Sequence, residues 1–141
     1  MSTAWCQDSS ILISWNKLTS AFVKRATTFE NIALSVSKVL KVDSGSIKDI
    51  TERKVALKTL LGFLDRPDSN LIQQVAEENK KSITSFSIIM QLMMSDPAFA
   101  SKKEAVDIQV QLMAAENQIL SAKKQYNTLM HSKNRKDLLY P

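Results

Sequence analysis

The sequence predicts an all-α fold: an elongated antiparallel up-and-down four-helix bundle with long first and last helices. Three observations carry that prediction. The 141 residues include only two glycines and three prolines, which starves a β-rich fold of its turns. Apolar residues recur every three or four positions over long stretches, the period of an amphipathic helix. The three places where that period lapses, residues 42–46, 66–69 and 95–97, each carry turn or capping chemistry.

The first predicted helix spans about residues 8 to 41. Ile11, Trp15, Leu18, Phe22, Phe29, Ile32, Val36 and Val39 form its stripe, and Arg25 occupies the seam position between Phe22 and Phe29. Val42-Asp43-Ser44-Gly45-Ser46 breaks the pattern, with one of the serines expected to cap the next helix. That second helix is predicted at 47–65, with Ile47, Ile50, Leu57, Leu61 and Leu64 inward. The third, at 69–94, carries Ile72, Val75, Ile83, Phe86, Met90 and Met93, and Asn79 falls on the same stripe. Ser95-Asp96-Pro97 ends it, because proline disfavours helical geometry in the residue before it. The last helix, at 101–136, has Ile108, Leu112, Ala115, Ile119, Ala122, Tyr126 and Leu129 as its seam. Such lengths imply first and last helices of roughly 50 Å each at 1.5 Å per residue. One domain with a single core is what this length accommodates, so residues 1–141 read as one unit.

Charge and missing motifs narrow the function classes. The net charge is +5, and Lys123, Lys124, Lys133, Arg135 and Lys136 face only Asp137 near the C-terminus. Cations there complement a helix macrodipole, and the same cluster is the candidate contact surface for an anionic membrane surface or an acidic partner. The lone histidine, His131, has Thr128 three residues before it, so the Glu-x-x-His pairs of a di-metal bundle are missing. One cysteine, Cys6, and one histidine far apart give neither a zinc site nor a Cys–His nucleophile. Gly45 and Gly62 are isolated, which excludes a phosphate-cradling loop. The aromatic residues do not interleave with the basic cluster, so no nucleic-acid partner is expected. No catalytic residue, cofactor or metal ligand is expected, and the chain reads as a non-enzyme. It also holds no apolar run of membrane-spanning length and no signal-peptide pattern.

The closing stretch carries a longer pattern. Glu116-Asn117-Gln118-Ile119, Ala122, Tyr126-Asn127, then Lys133-Asn134 and Tyr140-Pro141 follow in order at fixed spacings. This resembles the closing signature of the LemA family, an E-N-R-I-like element followed by A-R-x-x-Y-N, a second Y-N and F-P. Ser14-Trp15, Lys24-Arg25, Asn31-Ile32 and Val36 are similar to that family's first-helix series, and Pro97 with Phe99 to its turn before the last helix. Glu30, Thr27 and Gln118 depart from the pattern where the family has proline, aspartate and arginine. The resemblance implies a helical domain tethered to a bacterial membrane by an N-terminal span and projecting away from the cytoplasm, with a poorly defined biochemical role and no catalytic residues. On that footing the expected function is a membrane-associated scaffold or protein-interaction module.

Two further expectations come from polar and soft residues on apolar seams. Arg25 and Glu116 lie at the midpoints of the first and last helices, so an antiparallel pairing predicts an ion pair between them, with Asn117 or Asn31 completing its hydrogen bonds. Asn79, Asn127 and Asn134 read as satisfied structural groups, and Tyr126 as a core residue whose hydroxyl reaches an edge. The alternative function is a soluble adaptor that binds a partner helix in a groove lined by Met90, Met93 and Met130.

Overall fold

The computed structural model describes residues 2–62 and 66–141, with side chains from Ser9 onward. Four long helices and one short helix make up the described chain: α1 (Ser2–Ser37), α2 (Ser44–Leu61), α3 (Ser69–Ser95), α4 (Pro97–Ala100) and α5 (Lys103–Ser132). A 3-10 turn at Lys136–Leu138 follows. Leu64, expected on the inner side of the second helix, and the side chain of Cys6 lie outside the described residues.

Helix ends follow local chemistry. The last turn of α1 tightens into Lys38 N–H to Ser35 and Val39 N–H to Val36 bonds, so the helix stops at Ser37 rather than 41 and Val39 is left exposed. Asp43, not a serine, is the N-cap of α2, and its backbone carbonyl takes the first amides. Asp68 caps α3 by accepting from Leu71 N–H at 2.7 Å. Asp96 accepts from Phe99 N–H at 3.0 Å, while Pro97 occupies the first position of α4, where it gives up no helical bond. The sequence predicts a last helix reaching 136, but α5 ends at Ser132. Asn134 adopts φ 55°, with its N–H on His131 O and Arg135 N–H on Met130 O. This pair of reversed bonds is a Schellman stop, and asparagine is among the few side chains that tolerate it.

α1 is the centre of the bundle. It packs against α5 on one side and the α2–α3 hairpin on the other, and α2 lies against α3. Two cores stack end to end along it. The lower core joins Ile11, Trp15, Leu18 and Phe22 with Leu57, Ile72, Val75, Ile119, Ala122, Tyr126 and Met130. The upper core joins Phe29, Ile32 and Val36 with Ile50, Phe86, Ile89, Met93, Phe99 and Ile108. Early residues of α1 meet late residues of α2 and α5 in the lower core, and the order reverses in the upper one. The long helices therefore run up and down.

The fourth side of the bundle is built differently. α3 and α5 make no extended backbone packing with each other among the described residues. At the upper end Phe99 of α4 fills the space between them, and at the lower end the C-terminal tail does so with Leu138, 4 % exposed.

One stripe needs correction. The buried seam of α3 is Ile72, Val75, Asn79, Ser82, Phe86, Ile89 and Met93, whereas Ile83 is exposed and Met90 only half-buried. Ser82 sits in the seam because α3 faces polar side chains of α2 at that height. Position in a strict three-four alternation outranks hydrophobicity there.

Candidate functional site

The polar side chains that converge do so at mid-height, where the two cores meet. Arg25 is 5 % exposed and lies between them. Its Nη1 donates to Glu116 Oε1 at 2.9 Å and Oε2 at 3.2 Å, and its guanidinium carbon lies 5.9 Å from the Phe22 ring centre and 5.8 Å from that of Phe29. The two aromatic residues, one from each core, hold the cation from either side. Asn31 and Asn117, expected to complete the bonding, are exposed and make no hydrogen bond to Arg25 among the described residues. Glu116 is itself half in water, and its carboxylate is open to solvent rather than closed in by the asparagines.

The same waist continues around α2 and α3. Glu30 accepts from Lys54 Nζ at 2.6 Å and from the Thr51 hydroxyl at 2.7 Å. The Lys54 and Thr51 hydrogen bonds hold its carboxyl below the ordinary carboxylate value, against an opposing effect of burial. Arg53 Nη1 donates to the buried Glu78 at 2.9 Å, and the Ser85 hydroxyl donates to Asp49. Sequence reasoning missed these pairs. Their signal was present in Glu78, an acid beside Asn79 on the apolar stripe; on α2 only Ile50 and Leu57 are buried, while Ile47 and Leu61, expected inward, are half-buried.

The second element of the site is the tail. Asn127 Nδ2 donates to Tyr140 O at 3.0 Å, and Tyr140 N–H donates to Asn127 Oδ1 at 2.9 Å. This reciprocal pair fixes the amide orientation and imitates a strand partner. The Tyr126 hydroxyl donates to Leu138 O at 2.7 Å. Asn79 Nδ2 donates to the Tyr140 hydroxyl at 2.9 Å, the Tyr140 ring lies 5.1 Å from that of Phe22, and Lys123 Nζ sits 5.6 Å from its ring centre. Burial pushes both phenols up, Tyr126 strongly, while Asn79 and nearby Arg25 pull Tyr140 partly back. Tyr126-Asn127 and Tyr140 thus form a latch that returns the tail to the waist.

The basic cluster is divided by this arrangement. Lys123 is half-buried over Tyr140. Arg135 forms a two-pronged bond to Asp137, with both distances 3.0 Å. Lys124 and Lys136 are exposed and Lys133 is half-exposed. Lys133, Arg135 and Lys136 follow α5 rather than lying on it, at the end of the bundle where α1 begins.

The methionine groove is not present. Met93 is 5 % exposed in the upper core and Met130 is fully buried in the lower one, so the two do not share a surface. Both fill core space, the commoner use of a flexible thioether. The surface clefts are open, such as one of about 380 Å³ between the end of α1 and the start of α5, lined by Lys38, Glu104 and Asp107. Among the described residues no three His, Cys, Asp or Glu side chains are placed to hold a metal ion, and no helix is long and apolar enough to cross a membrane.

These features define a class: an elongated α-helical bundle whose inward-facing charged residues are held in ion pairs across its helices and whose C-terminus is latched into its body. The LemA family model matches residues 14–138, nearly the whole chain, and the chain belongs to the LemA family. No curated protein and no solved structure matches it.

Proposed function

We propose that this LemA-type domain is a non-enzymatic scaffold that works at a membrane, meeting anionic headgroups with its basic end. The observation that supports this reading is topological. Lys133 and Lys136 project from the bundle end at which α1 starts, and an N-terminal tether of the kind implied by the family resemblance would join the chain at that same end. Headgroup attraction is worth about 1 kcal/mol per basic residue near the surface. Reversible attachment is what two or three lysines supply. The bonding at the waist fits a scaffold, since Arg25, Arg53 and Lys54 are each committed to a carboxylate of the fold.

The test is co-sedimentation with vesicles containing phosphatidylglycerol, against neutral vesicles, at low and at physiological salt. Binding to the anionic vesicles that falls with salt, and falls again in the Lys133→Gln, Arg135→Gln, Lys136→Gln triple variant, is the expected result. Binding unchanged by the triple substitution removes the basic end from the proposal.

A further inference from the structure

We propose that a second copy of this chain docks on the outer face of α5, in parallel register, to form a two-stranded coiled coil. This inference goes beyond the scaffold reading and concerns a different surface. The inner seam of α5 faces α1, but residues two positions away on the sequence, about 200° around the helix, make a second stripe. Val106, Val110, Met113 and Leu120 lie on it, 58–68 % exposed. With Asn117 and Lys124 the spacing is four, three, four, three, four, an uninterrupted heptad. Exposed Met94 of α3 adjoins Val106 across a 120 Å³ recess and widens the upper part of the stripe. Lipid does not suit this face. The stripe is a narrow seam rather than a broad apolar sector, Asn117 places an amide within it, and its middle is bordered by Gln109, Gln111, Glu116 and Gln118, with lysines only toward its ends.

The seam is complementary to itself in one orientation. In a parallel pair Asn117 meets Asn117, a pairing that sets register and chain number at a core position. Lys102, the N-cap of α5, of one copy then stands at the flanking position opposite Asp107 of the other, twice by symmetry, while the self-facing Lys103 and Lys124 lie at the two ends of the seam, where their ammonium groups reach solvent. An antiparallel pair places Asn117 against Met113 and Glu116 against Glu116, leaving an unmatched amide and a repulsion. Lys103 and Lys124 close the seam at its two ends, so it spans roughly 22 Å. So short an interface belongs to the weak class, below about 1,200 Å² in total.

Sedimentation equilibrium from about 1 µM to about 1 mM, with oxidative cross-linking, tests the proposal. The expected result is a concentration-dependent dimer that Met113→Glu weakens at least about tenfold, while the monomer melts as before because Met113 is exposed. In a Cys6→Ser background, Leu120→Cys is expected to form a disulfide dimer, and Gln118→Cys, off the seam, is not. A monomer throughout the range overturns the proposal, and so does a dimer indifferent to Met113→Glu. If Leu120→Cys fails to couple to itself but couples to Val110→Cys, the parallel arrangement is overturned. None of these readouts depends on vesicles, so they fail or succeed independently of the membrane reading.

Discussion

Arg25 shows how a single charged residue is tolerated inside a bundle. Its guanidinium is desolvated by two phenylalanine rings, yet its carboxylate partner stays half in water. The two halves of this ion pair are therefore unequal. Arg25→Ala removes a buried side chain together with its ring contacts and is expected to cost about 3 kcal/mol. Glu116→Ala truncates a half-exposed side chain, water entering the vacated space solvates the guanidinium in its place, and about 1 kcal/mol is expected. The double variant is expected to lose less than the sum by at least about 0.5 kcal/mol, measured by urea denaturation. Strict additivity would show that the 2.9 Å contact contributes nothing in solution. The position of Arg25 was legible in the sequence because it occupies a seam site of α1, and Glu116 because it shares that height on α5. Its ring sandwich was not, since Phe22 and Phe29 read as members of one continuous stripe.

At the scale of the element, α2 is the helix whose sequence said least. Ile50 and Leu57 are its buried apolar residues, Leu60 and Leu61 pack partly buried against the lower core, and polar contacts are made on both flanks: Thr51 and Lys54 toward α1, Asp49 and Arg53 toward α3. This makes its docking sensitive to pH. Glu30 has a lowered pKa in the folded chain, so its contribution is complete above its ordinary value near 4.5 and is lost as pH falls through the lower folded value. Glu30→Gln is expected to flatten the acid side of a stability-against-pH curve, with the two proteins converging below that range. Parallel curves would remove Glu30 from the acid response. Apolar periodicity reveals helices that meet through hydrophobic side chains, so α1 and α5 were readable at once. It misplaced Ile83 on α3, where the partner helix is polar and Ser82 takes the inward position.

Across the whole molecule, the two cores are joined by the waist and closed by two inserts, Phe99 above and the C-terminal tail below. The tail is therefore part of the bundle's wall. Tyr140→Ala removes its ring from Phe22, its bond to Asn79 and the seat of Lys123 together, and about 3 kcal/mol of lost stability is expected. Amide exchange at Leu138 and Tyr140 should then accelerate far more than exchange in α1. Tyr140→Phe keeps the ring and should lose only about 1–2 kcal/mol, from the unpaired Asn79 amide. Equal losses in the two variants would mean that the hydroxyl, not the ring, holds the tail.

Composition, helix period and the breaks at residues 42–46, 66–69 and 95–97 were enough to determine an all-α bundle with long first and last helices. The ordered run from Glu116 to Pro141 was enough to place the chain beside LemA. Those features are local or linear, and a helix or a motif is written in consecutive residues. The closing of the bundle was decided only in three dimensions. Which side chain fills the space between α3 and α5, why Ser82 rather than Ile83 turns inward, and where Tyr140 lands all depend on the distance between backbones far apart in sequence. That distance follows from packing every helix at once, because each buried polar group must find its partner among groups the linear order does not place beside it.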